Sequence, residues 1–195
     1  MAEDRYVGRK FKTAFSSKEP PQDTRIYEII ALGEKFHRMH LLPKEKGGFG
    51  GNMSFRNSKG FVITAGGIDK GRLTPEKFVQ VLSCSIDTLS VQAEGEMEPS
   101  SETMMHNLLY EKRPEVNAII HVHDDIVLKN AGKLNIKTTE TKHPYGTPEL
   151  AKDIVRSIGK SDYIAVKSHG VVSVGKSLWE AGKRIETMHM AAEHA

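Results

Sequence analysis

The chain has 195 residues, of which 38% are hydrophobic and 27% charged, and 28 basic against 25 acidic residues give a net charge of +3. This length suits a single domain with a full hydrophobic core, and the apolar runs are far too short to span a membrane. The lone cysteine, Cys84, excludes an intrachain disulfide and favours a reducing cytoplasm, while the basic excess is too thinly spread for a dedicated nucleic-acid binder.

An N-terminal extension at residues 1–22 and one folded domain at residues 23–195 are predicted from the charged start and the Pro-Pro pair that ends it. Apolar periodicity, caps and turn residues set the remaining bounds. In chain order the predicted elements are a helix at 23–40, strands at 53–56 and 61–64, a helical turn at 74–76, a hairpin at 79–85 and 88–92, a helix at 100–112, a strand at 116–123, helices at 124–130 and 147–158, strands at 163–167 and 171–174, and a helix at 177–195. Because helices and hairpin-linked strands alternate, we expect an α/β fold whose sheet is mixed or partly antiparallel.

Two histidines stand two residues apart in the apolar, β-branched run at 117–123. On a strand, residues i and i+2 point to the same side of the sheet, roughly 7 Å apart. His121 and His123 can therefore reach one metal ion while Val122 packs the other way. The alternative is a strand end with two partly exposed rings.

A third histidine, His169, precedes Gly170, a residue that permits close approach of the backbone. Three neutral imidazoles with one open position are typical of a catalytic zinc site, whereas a structural zinc more usually brings cysteines. His121, His123 and His169 are the candidate ligands of Zn²⁺, with Fe²⁺, Mn²⁺ or Co²⁺ as alternatives. Taken alone, His169 is better explained as a turn residue.

Glu102 is the fourth element of this constellation. It follows Ser100 and Ser101 at a predicted helix start, where two hydroxyls and free N–H groups can face an anion. The alternative is a plain helix cap with an acid in the first turn. The glycine-rich loop at residues 46–52 has two explanations as well, a phosphate cradle of backbone N–H groups or a flexible connection.

These motifs stand in a fixed order along the chain: Gly51-Asn52-Met53-Ser54, Ile63-Thr64-Ala65-Gly66-Gly67-Ile68, Pro99-Ser100-Ser101-Glu102, His106, Arg113-Pro114, Ala118 to His123, Gly146-Thr147-Pro148-Glu149-Leu150 and His169-Gly170-Val171. This order resembles the class II aldolase/adducin family and, within it, the L-fuculose-1-phosphate aldolases. The resemblance runs from about Arg25 to the C-terminus. The combination is specific to the family, though not to one reaction within it.

The resemblance implies a three-layer α/β/α fold with a mixed, largely antiparallel central sheet over residues 23–195, and a homotetramer with active sites at subunit contacts. It implies Zn²⁺ on the three histidines named above, with Glu102 as acid/base and occasional fourth ligand. The positions that match phosphate-holding residues of the family are Asn52, Gly67, Ser100 and Ser101.

The activity implied is that of a metal-dependent aldehyde-lyase acting on a small sugar phosphate or a related hydroxy-carbonyl compound. A zinc-stabilised enediolate would form as the carbon–carbon bond breaks, and Glu102 would move the proton. Dehydratases, epimerases and decarboxylases of the family use the same chemistry. A non-enzymatic, adducin-like scaffold is the alternative from another class of protein.

The chain departs from the family pattern where the substrate is recognised. Gly66 stands where the phosphate loop usually has Ser or Thr, so one hydroxyl is missing. The segment between the histidine strand and Pro144 is short, and the loop that usually carries a catalytic tyrosine is absent. Tyr145 is a poor substitute by alignment. These departures favour a small substrate, or a reaction other than cleavage of fuculose phosphate.

Overall fold

An eight-stranded sheet forms the centre of the computed structural model, which describes residues 9–45 and 47–195. The strands are β1 Lys12–Ser17, β2 Lys44–Glu45, β3 Gly48–Phe49, β4 Asn52–Asn57, β5 Gly60–Thr64, β6 Phe78–Ser85, β7 Ser90–Glu94, β8 Ala118–Val122, β9 Tyr163–Val166 and β10 Gly170–Gly175. The order in the large sheet is β1-β7-β6-β5-β4-β8-β10-β9, and β2 and β3 form a separate hairpin. Among the strands of the described residues, β1 and β7 alone pair in parallel, so the prediction of a mixed, largely antiparallel sheet is confirmed.

Helices cover both faces of this sheet. They are α1 Ile26–Arg38, α2 Thr103–Lys112, α3 Asp125–Asn130, α4 Pro148–Ile158 and α5 Leu178–Glu193, with 3-10 turns at Lys70–Arg72 and Pro75–Lys77. One core, which includes Leu109 and Ile154, joins α2 and α4 to one face. A second core, which includes Phe36 and Ile185, joins α1, α3 and α5 to the other face. The predicted α/β/α architecture is thus confirmed.

Strand β8 lies between β4 and β10 and is buried along its whole length. Its side chains alternate as a strand requires, with Ile119 in the α2 core and Ile120 in the α1 core. His121 therefore points toward the face that carries α2. Its neighbours in register are Asn52 on β4 and Val172 on β10.

Part of the segment predicted as an extension belongs to the sheet. Residues 12–17 form β1, which pairs with β7 from Lys12 opposite Ser90 onward. Residues 1–8 lie outside the described residues, and the boundary predicted after residue 22 stays a prediction. The helix predicted from Ser100 or Ser101 begins later, at Thr103, because Ser100 accepts the N–H groups of Glu102 and Thr103 in a preceding turn.

The outer face of α5 leaves large apolar groups in contact with solvent. Trp179 is 70% exposed and Met190 is 56% exposed, so neither side chain belongs to the core of this chain. No helix in the described part of the chain is long and apolar enough to cross a bilayer.

Gly170 lets the turn before β10 approach the end of β8. A Cβ atom at this position would lie 2.3 Å from the carbonyl oxygen of Val122 and 3.0 Å from Cε1 of His121. Neither the backbone nor a buried ring can turn away from it, so the two strands would have to separate. The missing side chain therefore sets the distance between β8 and the turn that carries His169.

We expect Gly170→Ala to lower the free energy of unfolding by about 1–3 kcal/mol, the usual cost of an extra methyl group in a packed interior. Gly132→Ala is the matched control, because a Cβ there would meet no atom within 4 Å. The control should change stability by less than about 1 kcal/mol. Urea unfolding followed by circular dichroism measures both variants, and equal stability would show that the turn and β8 can separate freely.

Candidate metal centre and active site

Three histidines from neighbouring strands converge at one end of the sheet. His121 lies inside β8 and is 1% exposed, and His123 follows the same strand. His169 lies in the turn between β9 and β10, where Ser168 adopts a positive φ of 59° and reverses the chain. Because Val172 lies opposite His121, this turn stands beside the end of β8.

The three imidazole rings form a compact triangle. The ring centroids of His121 and His169 are 4.8 Å apart, those of His123 and His169 are 4.9 Å apart, and those of His121 and His123 are 5.0 Å apart. One nitrogen from each ring lies within 4.8 Å of the other two. The triad that the sequence predicts therefore converges and is positioned to bind a metal ion.

Hydrogen bonds determine which nitrogen of His121 and of His123 carries the proton. Nδ1 of His121 lies 2.9 Å from the carbonyl oxygen of Val171, which can only accept, so the proton is on Nδ1. Nδ1 of His123 lies 2.6 Å from Oε1 of Glu45, and this hydrogen bond lowers the pKa of Glu45. A carboxylate oxygen can only accept, so the proton of this hydrogen bond is on Nδ1 of His123. In its neutral form, each ring then presents an unprotonated Nε2, the lone pair that a metal ligand needs.

Glu102 completes the centre. Its Oε2 lies 3.2 Å from Nε2 of His121, and its Oε1 lies 3.2 Å from Nε2 of His169. The two Nε2 atoms are themselves 3.0 Å apart. Oε1 is buried and has no hydrogen bond of good geometry among the described residues. Lone pairs and a carboxylate crowded around one small space fit a divalent cation, which would satisfy them together.

Burial affects the titration of both Glu102 and His121. Burial raises the pKa of Glu102, but His121, His169 and a hydrogen bond from Asn52 outweigh it and hold that pKa well below its usual value. Burial lowers the pKa of His121 to about 3 despite the nearby carboxylate. At neutral pH the centre therefore presents a carboxylate and a neutral imidazole, the protonation states that metal binding requires.

A buried chain of hydrogen bonds holds Glu102 in place. The Asn52 amide donates to Oε2 of Glu102 at 2.7 Å, and its Oδ1 accepts from Nε2 of His106 at 2.5 Å. Nδ1 of His106 accepts from the Ser54 hydroxyl at 2.6 Å, and Ser54 accepts from the Tyr110 phenol at 2.7 Å. This pattern needs a neutral His106, and burial lowers the pKa of that residue to about 4. This chain of hydrogen bonds therefore orients the side chain of Asn52 so that its NH₂ group, and not its oxygen, faces Glu102.

The centre opens into a cleft with a volume of about 630 Å³, whose walls include Glu102, His123 and His169. The four residues that match the family's phosphate-holding positions line the same cleft: Asn52, Gly67, Ser100 and Ser101. The Asn52 amide is already engaged by Glu102 and His106, so at most one of its protons is left for a substrate oxygen. The structure thus brings the sequence-predicted residues together: all but His121 line the cleft, and the buried His121 lies beside it against Glu102 and His169.

Sequence reasoning missed several residues that contact this centre or line its cleft. Glu45 and Lys70 carry no sequence signal that distinguishes them from surface charges. His106 stands in the order of family motifs but was given no role. Its place four residues after Glu102, on the same helix face, is the signal that could have assigned it one. The Tyr145 ring lies 6.4 Å from that of His169 and lines the cleft, although alignment makes it a poor substitute for the family's tyrosine.

The chain matches the family model described as Class II Aldolase and Adducin N-terminal domain over residues 28–195. The protein therefore belongs to the class II aldolase/adducin family, as the order of its motifs predicts. Class II aldolases are metal-dependent enzymes, and the histidine triad is placed to bind the metal.

Its relatives include more than one kind of enzyme. The 5-methylthioribulose-1-phosphate/5-deoxyribulose-1-phosphate aldolase of Escherichia coli O45:K1 is 33% identical over 70% of this chain and 70% of its own length. The methylthioribulose-1-phosphate dehydratase of Leptospira biflexa serovar Patoc is 31% identical over 85% of this chain and 93% of its own length. A solved L-fuculose 1-phosphate aldolase superposes with a TM-score of 0.73 at 26% identity, over 89% of this chain and 85% of that one. Family membership alone therefore does not decide the reaction.

We expect His106→Phe to lower the free energy of unfolding by about 1–3 kcal/mol for each buried polar atom that it leaves without a partner. Those atoms are Oδ1 of Asn52, which loses its donor, and the hydroxyl hydrogen of Ser54, which loses its acceptor while the Ser54 oxygen still accepts from Tyr110. His37→Phe is the control, because the His37 side chain is 47% exposed. Chemical denaturation compares the two, and a His106 variant as stable as the unmodified protein would contradict the hydrogen-bond chain.

Proposed function

We propose that this protein is a metal-dependent aldolase that cleaves or forms a carbon–carbon bond in a small sugar phosphate. The substrate is proposed to be a ketose 1-phosphate, the class of compound that the names of its relatives contain. The observation that carries this proposal is one cleft that combines three imidazoles, a buried carboxylate and the serine–glycine positions of a phosphate site. Each group is one that retro-aldol cleavage requires, since charge develops on the carbonyl oxygen while a proton moves to or from carbon.

In this proposal His121, His123 and His169 hold the cation, with Glu102 as an occasional fourth ligand. Zn²⁺ suits three imidazoles best, and Fe²⁺, Mn²⁺ and Co²⁺ are the alternatives. When bound, the cation supplies the Lewis acidity that stabilises the enediolate charge. The hydrogen bonds from His121 to Val171 and from His123 to Glu45 orient the two rings and keep their Nε2 atoms available.

Glu102 is the proposed acid/base. The surrounding groups keep it ionised, which is the form that accepts a proton, and Asn52 fixes its orientation from one side. Because the carboxylate stands within 3.2 Å of the Nε2 atoms of His121 and His169, a substrate carbon next to a chelated carbonyl would lie close to it. On cleavage the carboxylate would take up the proton that the substrate hydroxyl loses as it becomes the aldehyde, and would then deliver a proton to that carbon; condensation reverses both transfers.

The substrate phosphate is proposed to bind at Gly67, Ser100, Ser101 and Asn52. Gly67 has a positive φ of 73°, and Ser100 and Ser101 lie in the turn before α2, so hydroxyl and N–H groups from two loops meet there. Gly66 offers no hydroxyl, so this cradle has one donor fewer than is usual for the family.

A dehydratase is the second candidate, and it is favoured by the dehydratase from Leptospira biflexa, to which this chain is similar over 85% of its length. Epimerase and decarboxylase reactions on the same site remain further alternatives. A non-enzymatic scaffold is the least supported alternative, since the triad and Glu102 are present and converge.

Incubation of the zinc-loaded protein with a panel of ketose 1-phosphates tests the proposal. Retro-aldol cleavage releases dihydroxyacetone phosphate and an aldehyde, whereas dehydration releases water and retains the carbon skeleton. Mass spectrometry of the products separates the two reactions. A product of unchanged carbon number that is lighter by one water would replace the aldolase assignment with the dehydratase.

We also propose a cytoplasmic homotetramer, in keeping with the lone cysteine and the family. Trp179, Tyr27 and Met190 are 70%, 64% and 56% exposed, and large apolar groups of this kind are common at subunit contacts. Light scattering of the purified protein would measure the mass of the assembly.

His121→Ala and His169→Ala are each expected to lose metal and activity together, because two imidazoles and a carboxylate make a much weaker site. Removing the hydrogen-bond partner of a metal ligand lowers metal affinity by about 10–100-fold. Removing the ligand itself should lower it by more. Elemental analysis of the purified variants measures it, with His194→Ala, an exposed position, as control. Full metal content in either variant would remove that histidine from the ligand set.

Glu102→Gln is expected to retain metal and to lower kcat by about 10²–10⁴-fold, the usual contribution of general acid–base catalysis. Glutamine preserves the size of the side chain, but its amide cannot take a proton from the substrate carbon or return one to it. Turnover with saturating substrate, measured beside metal content, is the readout. Unchanged turnover would exclude Glu102 as the proton carrier.

A further inference from the structure

Lys70 is a charged side chain in the cleft wall that the mechanism above does not use. It begins the turn Lys70–Arg72, is 2% exposed, and donates from Nζ to the carbonyl oxygen of Phe49 at 2.8 Å. Within residues 9–45 and 47–195 it forms no ion pair with a carboxylate. One neutral acceptor therefore serves a buried group that has three donors.

A buried ammonium without a charged partner is unfavourable, because burial removes its hydration. Burial lowers the pKa of Lys70 to about 8, while Glu102, Glu45 and Asp69 act from a distance in the opposite direction. The group is therefore still largely cationic at neutral pH. A cation retained in such a place is explained if an anion enters the cleft and completes its hydrogen bonds.

Lys70 lies between the loop of Gly67 and the histidine triad. Its acceptor, Phe49, stands between Gly48 and Gly50. Gly48 packs on the loop of Gly67, where a Cβ atom added to it would lie 2.7 Å from the Gly67 Cα. Gly50 packs on the ring of His123, where an added Cβ would lie 2.8 Å from Nδ1. The ammonium is thus attached to the stretch of wall that joins the phosphate loop to the histidine triad.

We propose that Lys70 is a substrate-binding residue that donates to the phosphate of the sugar phosphate and supplies the contact that Gly66, without a hydroxyl, does not make. The assignment rests on the proposed function for the identity of the anion. It makes Lys70 a specificity residue, since a charge-assisted hydrogen bond from a desolvated ammonium favours a phosphorylated substrate over the free sugar.

The test compares Lys70→Met and Lys70→Gln with the unmodified protein in the zinc-loaded form. Methionine keeps the length and apolar stem of lysine, and glutamine keeps a neutral donor, so at least one should fold with normal metal content. Lys59→Met is the matched control, because Lys59 is exposed and outside the cleft. Two readouts are used, calorimetric binding of inorganic phosphate and kcat/KM for a ketose 1-phosphate relative to the unphosphorylated ketose.

Both Lys70 variants should bind phosphate about 10–100-fold more weakly, the effect expected for a lost hydrogen bond to a charged group, and the preference for the phosphorylated substrate should fall similarly. Lys59→Met should change neither value. Unaltered phosphate binding in both variants would overturn the assignment, and so would an equal loss of kcat/KM for both substrates or loss of the metal. If the unmodified protein binds phosphate through Lys70 yet cleaves no ketose phosphate, the proposed function fails while Lys70 remains the anion site.

Discussion

The position of β8 between β4 and β10 is the constraint on which the site depends. Neighbouring strands of a sheet lie about 4.7–4.9 Å apart, and the His121 and His169 rings, which come from β8 and the turn before β10, are 4.8 Å apart. The spacing of the triad thus follows the spacing of the sheet. Gly170 allows the turn to come this close, and Asn52 on the other neighbouring strand reaches Glu102 from the opposite side of His121.

The polar groups around the triad differ in how fully they are satisfied. From the Tyr110 phenol to Oδ1 of Asn52 each donor has an acceptor, which makes this part of the core rigid and selective for one arrangement. The pattern ends at Glu102, where Oε2 is bonded and Oε1 is not. This buried carboxylate oxygen lies against imidazole nitrogens and can still accept a hydrogen bond or bind a cation. The hydrogen-bond network therefore fixes the position of the Glu102 carboxylate without neutralising its charge.

The sequence predicted those parts of the structure that local pattern determines. The i, i+2 spacing of His121 and His123 specifies one face of a strand, and the periodicity of the longer helices located them within a few residues. It could not predict β1, because that strand is mostly exposed and pairs with a segment far along the chain, so its own pattern shows no buried face. Lys70 was missed for a related reason. Lysine is almost always a surface residue, and only tertiary packing buries this one.

Aldol cleavage and dehydration of a ketose 1-phosphate both pass through an enediolate, so under the proposed function the metal centre and Glu102 serve either reaction equally. The reactions diverge at the carbon next to the carbonyl, because cleavage breaks its carbon–carbon bond, whereas dehydration removes its proton and then expels the neighbouring hydroxyl as water. The outcome therefore depends on which of these two bonds, carbon–carbon or carbon–hydrogen, stands perpendicular to the plane of the carbonyl. Under the same proposal, that orientation would be set at the far end of the substrate by its phosphate and by the cleft walls near Gly66, Lys70 and Tyr145. These walls are loops and turns, which accept substitution more readily than the buried strands that carry the triad. A family with one metal centre can therefore contain aldolases and dehydratases, and the residues that distinguish them in this chain should be sought beside the phosphate.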